Sequence, residues 1–408
     1  MRRFLLFVAV VTLGACRTRL DELALAAPAD LGGDDAKAAP GGPAWPMIDH
    51  DPQHSRRSPL AGPDAARRHL ASIELANNPG ATRDPIIGGD GTVFADDNMG
   101  TLRAFAPADL SVLWSRAGGA GRVGAPLLGP DGTLYETGTS ASGRATVVGI
   151  DPRSGRVTWE YAGCDAWPSA MGDDGTIYGV CDKSVTSVFA ITPGAAEVRW
   201  RQPSAVAVEA EAPGGLLVAS SSGDVAILDG ATGAQRGAIP YPYCRTIDAL
   251  GNLRCIDGQM RGYFLRTLAL PGGALAWSFA NYTKFYAALG WAETPDGGLV
   301  MTDGPLLYAL DTHGIWTPLA TIPDGHIGKF NPTIDRDGNL YFSTHDGSDR
   351  DAAIVSYDGR GALRWRYPIA EGARYVSSPI SIGPARTLVY TTCAGVAPWL
   401  CRLDALAP

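Results

Sequence analysis

The 408-residue sequence has little positive charge, and its basic residues form no continuous stripe. Lys and Arg together number 34, against 42 for Asp and Glu, and the formal net charge is −8. Nucleic-acid binding needs clustered positive charge to neutralise the phosphates. The composition therefore excludes nucleic acid as a partner.

Common catalytic signatures are missing as well. The sequence has no H-E-x-x-H zinc motif, no G-x-S-x-G nucleophile elbow, no P-loop, no C-x-x-C-H haem site and no two adjacent cysteines. A single G-x-G-x-x-G run at 119–124 is followed by Ala125 and Pro126 instead of a helix, so we interpret it as a loop. From these absences we predict that the protein is not an enzyme and holds no cofactor and no metal ion.

Beyond its N-terminus the chain has no apolar run of 18 or more residues, so no transmembrane helix is predicted. At the N-terminus, Arg2 and Arg3 precede a short apolar run, which is typical of an export signal. The run ends in Leu13-Gly14-Ala15-Cys16, which resembles a bacterial lipobox. This resemblance implies that residues 1–15 are a signal peptide and that Cys16 carries acyl chains. An ordinary secretory signal with a chance cysteine is the alternative.

Several acyl chains anchor a protein stably, so we expect membrane attachment through Cys16. Arg17 follows this cysteine, and by resemblance to lipoprotein sorting in bacteria with two membranes it favours the outer membrane. Residues 16–43 are rich in Ala, Gly, Asp and Pro without a hydrophobic period, which predicts a flexible tether. We therefore expect a lipid-anchored protein of the bacterial cell envelope.

A repeat of about 42 residues runs through the rest of the chain. Asp-Gly between two alternating apolar runs is a strong hairpin signal, because Gly adopts positive φ at little cost. Each copy of the repeat therefore predicts one β-hairpin. The clear copies begin at Asp90, Asp131, Asp174 and Asp337, and the weaker ones lie near Gly214, Gly251, Gly297 and Arg386.

About 20 residues after each hairpin, a strand ends, turns and resumes toward a Trp, as in Gly149 to Trp159. Each unit then has four strands, and four-stranded units of about 40–50 residues are typical of propeller blades. We predict an all-β, eight-bladed β-propeller over 69–408, preceded by an entry segment at 44–68 that packs on the ring. The last unit lacks its fourth strand, which we expect residues 69–75 to supply, closing the ring.

The stretch from Gly149 to Trp159 resembles the A-x-D-x-x-[TS]-G-x-x-x-W core of the pyrroloquinoline-quinone-like (PQQ-like) repeat propellers, except at its first position. Trp45-Pro46-Met47 and the following Asp51-Pro52-Gln53-His54 resemble the entry segment of such rings. The resemblance implies that fourth-strand tryptophans form a girdle that docks neighbouring blades: Trp114, Trp159, Trp200, Trp277 and Trp365. It does not imply the quinone, because many relatives bind none and the family's dehydrogenases carry a vicinal disulfide.

Six cysteines remain besides Cys16, and they form three neighbouring pairs that each flank one predicted hairpin. Because export to an oxidising compartment lets disulfides persist, we predict three of them, with free buried thiols as the alternative. The pairs are Cys164 with Cys181, Cys244 with Cys255, and Cys393 with Cys401.

The function that we expect is a binding scaffold, because loops on a rigid disc are suited to recognition. The architecture is similar to that of the propeller lipoprotein of the outer-membrane barrel-assembly machinery. We therefore expect a monomeric ring whose partner is another envelope protein or a surface glycan. Four aromatic residues between units five and six are candidates for partner binding, with packing between blades as the alternative: Tyr282, Phe285, Tyr286 and Trp291.

An enzyme of the cell surface is the second hypothesis, with Asp248, Glu293 and Asp335 as polar first-strand residues near the channel. Two structural features discriminate between the hypotheses. A cluster of carboxyl groups with perturbed pKa values at one channel mouth favours the enzyme. A broad apolar patch on one face favours the scaffold.

Overall fold

A computed structural model of the protein describes residues 43–408 with gaps. The predicted lipid site Cys16, the G-x-G-x-x-G run and the candidates Tyr282, Phe285 and Tyr286 lie outside the described residues. The gaps are 48, 52, 66–67, 77–83, 98–99, 118–125, 141, 182–185, 195–197, 204, 222–223, 241–243, 260–261, 282–289, 324–326, 329–331, 346–351, 370–374 and 395–400.

Eight antiparallel sheets follow one another along the chain and form the blades of an eight-bladed β-propeller, which confirms the predicted fold. In blades one to six each sheet has four strands in chain order, so each strand pairs with its neighbours in sequence. In blades seven and eight the innermost strand is split into two short strands that pair with the same neighbour.

The first half of the chain supplies blades one to four after an initial strand. Its strands are β1 (Arg68–Ala76), β2 (Ile86–Ile87), β3 (Val93–Asp96), β4 (Thr101–Phe105), β5 (Val112–Ala117), β6 (Leu127–Leu128), β7 (Leu134–Thr139), β8 (Ala145–Ile150), β9 (Val157–Tyr161), β10 (Ala166–Met171), β11 (Ile177–Cys181), β12 (Ser187–Ile191), β13 (Val198–Pro203), β14 (Ala205–Ala212), β15 (Leu216–Ser221), β16 (Val225–Asp229) and β17 (Gln235–Ile239).

The second half supplies blades five to eight, and a 3-10 turn lies at Pro384–Arg386. Its strands are β18 (Cys244–Ile247), β19 (Asn252–Gln259), β20 (Gly262–Ala269), β21 (Ala274–Asn281), β22 (Gly290–Glu293), β23 (Leu299–Asp303), β24 (Leu306–Leu310), β25 (Trp316–Thr321), β26 (Ile327–Gly328), β27 (Thr333–Ile334), β28 (Leu340–His345), β29 (Ala353–Tyr357), β30 (Leu363–Pro368), β31 (Tyr375–Val376), β32 (Ser381–Gly383), β33 (Thr387–Cys393) and β34 (Cys401–Ala407). Among the described residues, no helix is long and apolar enough to cross a membrane.

The ring closes where the two ends of the described chain meet. Strand β1 pairs antiparallel with β34, from Arg68 opposite Ala407 to Ala76 opposite Cys401. The N-terminal strand thus becomes the fourth strand of blade eight. Its main-chain groups take up the edge that β34 would otherwise expose.

The apolar core lies in layers between neighbouring blades. Ile86, Phe94 and Leu102 of blade one, for example, pack with Leu128 and Val148 of blade two. Middle strands such as β12 and β29 are buried on both faces because each blade is covered by its neighbours. The ring is therefore held by contacts between blades as well as by the strand pairing inside them.

The alternating strand directions give the ring two different faces. Turns between first and second and between third and fourth strands meet at one face, which we call the turn face. The strand ends that border the connections between second and third strands, and between blades, lie at the other face, the loop face. Turn-face turns contain three to six residues, whereas loop-face connections vary from one residue, between β13 and β14, to nine, between β5 and β6.

The fourth-strand tryptophans lie against the turn of the following blade. Trp114 Nε1 donates to the Pro152 carbonyl at 2.7 Å, and Trp200 Nε1 donates to the Gly230 carbonyl at 2.7 Å. Gly155 lies beneath the Trp114 ring with φ +69°, and a Cβ there would approach the ring to 2.7 Å. Only Gly meets both demands, because its φ is left-handed and the ring leaves no room for a side chain.

The other girdle positions vary. Trp277 packs over Gly314 of blade six in the same manner, whereas Trp365 donates its Nε1 hydrogen to the Pro63 carbonyl of the entry segment at 3.2 Å. Trp316, the tryptophan in the fourth strand of blade six, does not occupy the girdle position. It pairs with Leu310 at the first position of β25, so its side chain is 54% exposed.

All three predicted disulfides are present, and all lie at the loop-face ends of their blades. Cys244 pairs with Cys255, and Cys393 with Cys401, directly across two antiparallel strands with Cα–Cα distances of 3.9 and 4.1 Å. Cys164 precedes β10 and bonds to Cys181 at the end of β11, over a Cα–Cα distance of 5.7 Å. Blades three, five and eight are therefore cross-linked beside the variable connections.

Replacing Cys244 and Cys255 together with Ala is expected to lower the free energy of unfolding by about 3 kcal/mol, because an opened loop of this length gives the unfolded chain more conformational entropy. Denaturant unfolding measures the loss. Non-reducing peptide mapping must show that the other two disulfides are intact in the variant. A loss below about 0.5 kcal/mol, half of an ordinary single contact, would contradict the expectation.

Candidate functional site

The entry segment runs around the inside of the ring at the turn face. It begins beside blade one, where the Ala44 and Trp45 amides donate to the Ile87 carbonyl and the Ile87 amide donates to the Trp45 carbonyl, each at 2.9 Å. The Leu128 amide of blade two then donates to the Pro46 carbonyl at 2.8 Å. The segment thus lies along the inner strand edges, which border the channel.

The entry segment also bonds to the inner strands on the opposite side of the channel. Gln53 Nε2 donates to the Glu211 carbonyl of blade four at 3.0 Å. The inner-strand amides of blades five, six and seven donate in order to the carbonyls of Gln53, Ser55 and Arg56; the donors are Ile247, Glu293 and Ile334. The segment therefore contacts the inner strands of six blades and occupies the turn-face mouth of the channel.

Four non-glycine residues of this segment adopt left-handed backbone conformations. They are Asp49 (φ 58°), His50 (φ 82°), His54 (φ 58°) and Arg56 (φ 57°). Each such residue costs about 1–3 kcal/mol and persists where its surroundings determine the conformation. The concentration of strain within eight positions marks this segment as a functional candidate.

The charged groups of the segment form a buried cluster with Asp84 of blade one. Arg56 forms an ion pair with Asp49, and His54 Nδ1 lies 3.3 Å from Asp49 Oδ2. Although burial favours the neutral acid, Arg56 and His54 hold the pKa of Asp49 below its ordinary value. Burial and the Asp49 charge raise the pKa of Asp84 to about 7, and the Asp49 amide donates to its carboxyl group.

Asp51 forms a second, separate group. It accepts the Ser55 amide hydrogen at 2.8 Å, accepts the Ser55 hydroxyl hydrogen, and lies 3.5 Å from His50 Nδ1. His50 and His54 therefore contact different carboxylates and do not share a ligand. No group of three or more His, Cys, Asp or Glu side chains in the described part of the chain is arranged to hold a metal ion.

Two more carboxyl groups with raised pKa values lie at this face. Burial and the neighbouring Asp173 raise the pKa of Glu211 to about 7, although the Asp173 amide donates to it at 3.2 Å. Burial also raises the pKa of Glu293 to about 7, despite the opposing charge of Arg254. Together with Asp84, they place carboxyl groups of raised pKa from blades one, four and six at this face, and perturbed carboxyl groups are the feature that favours the enzyme hypothesis.

Arg254 links blades five and six by a fully buried ion network. Its guanidinium lies 3.2 Å from Asp248 Oδ2 and 3.4 Å from Glu293 Oε1, and it stacks on the Trp277 ring at 4.8 Å. Glu293 also accepts the Thr246 hydroxyl hydrogen at 3.0 Å. Arg254 comes from blade five and Glu293 from blade six, so the network joins the two blades.

The three carboxylates named for the enzyme hypothesis all have contacts within the fold. Asp248 accepts two amides of its own turn and pairs with Arg254, and Glu293 pairs with the same arginine. Asp335 accepts the Gly62 amide and the Tyr341 hydroxyl, both at 2.9 Å. Asp248 and Glu293 meet at Arg254 in the seam between blades five and six, whereas Asp335 lies apart from them in blade seven.

Trp291 is buried between blades five and six, with 4% of its surface exposed, and its Nε1 donates to Thr246 Oγ1 at 2.9 Å. Its buried indole offers no surface to a partner, so the packing alternative applies to this member of the aromatic set. The sequence did not reveal this, because aromatic residues in loops and in blade interfaces look alike.

Replacing Asp84 with Asn is expected to stabilise the protein at pH 8 and to have little effect at pH 4. Folded Asp84 keeps its proton up to about pH 7, whereas an unfolded Asp loses it near pH 3.9. Between these values the folded state binds more protons, so the stability of the native protein falls as pH rises. Asn cannot ionise, so the Asp84→Asn variant does not lose this stability as the pH rises.

The expected gain at pH 8 is on the order of 2–4 kcal/mol, from the linkage between pKa and stability. Urea unfolding at pH 4, 6 and 8 measures it. A stability difference between the Asp84→Asn variant and the wild type that does not change with pH would contradict an ionisable, buried Asp84.

The turn face also carries most of the exposed large hydrophobic side chains among the described residues. Eight of the nine lie there, at the starts of fourth strands or in turns, and Leu306 lies at the loop face. We call these eight residues the apolar rim: Val112, Leu113, Val157, Leu250, Leu275, Ile315, Trp316 and Leu363. Both discriminating features therefore occur at the same face, the carboxyl groups buried and the apolar groups exposed.

Comparisons with known proteins agree with the repeat and the fold. A family model described as outer membrane protein assembly factor BamB, built of PQQ-like repeats, matches residues 78–168 and 98–260. No curated protein matches the sequence.

Solved structures with a similar ring share little sequence. A quinohemoprotein alcohol dehydrogenase from Comamonas testosteroni is 10% identical with a TM-score of 0.60, over 91% of this chain and 81% of that one. The alcohol dehydrogenase ADHIIG from Pseudomonas putida HK5 is 12% identical with a TM-score of 0.59, over 90% and 80%. The C-terminal WD40 domain of Sif2 is 12% identical with a TM-score of 0.60, over 84% and 98%.

These similarities correct one prediction. The first two structures are dehydrogenases by their titles, so rings of this fold do carry catalysis. The deduction that this chain is not an enzyme is therefore wrong. It was drawn from missing hydrolase, nucleotide and haem motifs, and such absences do not exclude other chemistry. At 10–12% identity the likeness establishes the fold alone.

Proposed function

We propose that this chain, a β-propeller of PQQ-like repeats, is a lipid-anchored protein of the bacterial cell envelope that binds another envelope protein through its loop face. The observation that carries the proposal is the different construction of the two faces. Connections at the loop face vary from one to nine residues, whereas those of the turn face are nearly uniform. Variable connections on a rigid scaffold are where recognition usually resides.

The entry segment supports this assignment of the faces. Residues 44–64 occupy the turn-face mouth of the channel and bond to the inner strands of six blades. The buried carboxyl groups lie under this segment, with exposures of 6% for Asp84, 8% for Glu211 and 1% for Glu293. A group that transfers a proton to a bound molecule must come within hydrogen-bond distance of it. Most described groups at this mouth are instead bonded within the fold, although Asp84 Oδ2 and His54 Nε2 are buried without a hydrogen-bond partner among the described residues.

The disulfides are the second support. Cys393–Cys401 closes the loop-face connection between β33 and β34 at its base, whereas Cys164–Cys181 and Cys244–Cys255 tie the first strand of a blade, or the residue just before it, to the second strand. A covalent bond at the base of a loop reduces the conformations open to it, and fewer conformations reduce the entropy lost on binding. Bonds of this kind also suit a protein exported to an oxidising compartment.

The charged side chains at the turn-face mouth do not suit a quinone cofactor that itself carries several carboxylates. The cation in contact with the cluster is Arg56, which already pairs with Asp49. Asp51 adds a second carboxylate, and like charges would repel such a ligand. None of the three disulfides joins adjacent cysteines. The proposed function therefore involves no quinone at this mouth.

Site-specific photo-crosslinking in the native bacterium tests the proposal. A photoreactive amino acid replaces Ser142 or Asp224 at the loop face, or Asp131 or Arg153 at the turn face, all exposed positions. We expect one protein adduct of the same mass from both loop-face positions and none from the turn-face positions. The turn-face variants are the matched controls for expression and folding.

Adducts from the turn face alone would overturn the proposed face. An adduct whose added mass is removed by glycosidase, with no peptide of a second protein in its proteolytic digest, would replace the protein partner with a surface glycan.

A further inference from the structure

The apolar rim is densest across the seam between blades five and six. Leu250 and Ile315 are each 65% exposed, Trp316 is 54% exposed and Leu275 is 53% exposed. We call these four residues the seam patch. Isolated exposed hydrophobic residues are ordinary, whereas a group of them marks an interaction surface.

Side-chain contacts cross the seam between the two blades next to this patch. The Leu250 side chain packs on Gly297 of blade six, and Thr312, in the turn that leads to Ile315, packs on the same glycine. Trp277 of blade five covers Gly314, the residue before Ile315. Trp316 itself rests edge-on against Tyr308, with ring centroids 6.4 Å apart.

The outer strands of these two blades are also the uncharged ones. Strand β21 and residues 314–323, which include β25, contain no Asp, Glu, Lys or Arg. The other six outer strands each contain at least one Arg or Glu: β1, β5, β9, β13, β17 and β30. The outer strands at this seam therefore lack the charged side chains that keep the outer strands of the other blades solvated.

The place where the N-terminal part of the chain reaches the ring indicates which surface covers the seam patch. The entry segment begins at the turn face, at Ala44 beside blade one. The 27 residues from Arg17 to Pro43 join it to Cys16. A flexible chain of 27 residues has a root-mean-square span of about 30 Å, comparable to the width of a small domain. An anchored ring would therefore have the bilayer within reach of its turn face.

We propose that the turn face rests on the lipid bilayer, with the seam patch inserted in its interfacial region. The inference rests on the proposed lipid anchor at Cys16. Trp beside aliphatic residues is suited to this region, where one end of the indole is apolar and the other is hydrated. The turns also carry exposed acidic residues such as Asp90 and Asp131, so the surface matched is a zwitterionic one.

The patch orients the ring, and the acyl chains hold it on the membrane. Four side chains that are half to two-thirds exposed offer little area compared with several acyl chains. The expected consequence is a defined tilt, with blades five and six lowered toward the lipid and the loop face directed away from it. This leaves the loop face free for the proposed partner.

Quenching by brominated lipid tests the orientation. The full-length lipidated protein and its Trp316→Phe variant are reconstituted in phosphatidylcholine vesicles with ordinary or brominated acyl chains. The difference between the two proteins isolates the Trp316 emission. We expect brominated lipid to remove at least half of it, and anionic phosphatidylglycerol vesicles to give weaker quenching.

The matched control places a tryptophan on the opposite face. Leu306→Trp in the Trp316→Phe background presents an indole at the exposed loop-face position, and we expect brominated lipid to leave its emission unchanged. Equal quenching at both positions would overturn the orientation.

Flotation of the same vesicles separates the two proposals. Vesicles that carry the protein without quenching Trp316 refute the seam patch as a lipid contact and leave the anchor standing. Protein that does not float refutes the anchor, and the orientation with it. A Trp316 emission that shifts with protein concentration in detergent, without vesicles, would assign the patch to a second copy of the chain and overturn the proposal.

Discussion

Arg254→Met is expected to lower the free energy of unfolding by about 3–5 kcal/mol, the largest single effect on stability that the structure predicts. The guanidinium is fully buried between Asp248 and Glu293, so its removal leaves two carboxyl groups in the interior without a cation. Met preserves most of the apolar volume and isolates the loss of charge. Denaturant unfolding at pH 8, above the pKa of about 7 to which burial raises Glu293, measures the effect.

Two controls separate charge from packing. Arg236→Met breaks an ion pair with Asp229 whose arginine is 52% exposed, and exposed pairs contribute about 0–1 kcal/mol. Adding Glu293→Gln to Arg254→Met removes one uncompensated charge and is expected to restore part of the stability. Equal losses for the buried and the exposed arginine would contradict the interpretation.

The same variant bears on the seam between blades five and six. Because Arg254 and Glu293 belong to different blades, their network holds the seam together beneath the proposed lipid contact. Amide hydrogen exchange is expected to rise first in β19 and β22, where these two side chains originate. An increase spread evenly over all blades would instead indicate a loss of global stability alone.

Cys16→Ser is expected to move the protein from the membrane fraction to the soluble fraction, or to leave an unprocessed precursor. The serine hydroxyl does not replace the thiol that the acyl chains require in a lipobox. The remaining contacts of the seam patch are then too weak to hold the ring on the membrane. Fractionation with mass analysis of the mature N-terminus measures the outcome.

Thr18→Ser is the matched control, because it lies two residues away and leaves the lipobox intact. It is expected to fractionate as the wild type does. Mature Cys16→Ser protein in the membrane fraction would contradict the lipid anchor.

The comparison with dehydrogenases limits what motif searches can exclude. Asp84, Glu211 and Glu293 have raised pKa values and lie in three different repeats, far apart in sequence. Their common feature is a place at the turn-face mouth, which no local pattern encodes. The proposed binding function therefore rests on the contacts of these carboxyl groups within the fold and on their burial under the entry segment. It does not rest on the absence of motifs.

The sequence alone determined the ring. Asp-Gly turns repeat at a nearly constant spacing because each blade needs the same tight hairpin, and a constant spacing is visible without a structure. Closure by the N-terminal strand followed from counting, because the last repeat was one strand short. The three disulfides could be predicted because each pair flanks one hairpin and is local in sequence.

Tertiary structure alone decided which groups meet. The entry segment is about 42 residues from its partner in blade one and about 278 from its partner in blade seven, so no sequence spacing predicts that Ser55 and Arg56 bond to blades six and seven. The exposure of Trp316 depends on a register one position earlier than that of the girdle. The Arg254 network likewise depends on how two blades abut. Packing between residues that are far apart in sequence sets these contacts, so the regular spacing of the hairpin turns cannot predict them.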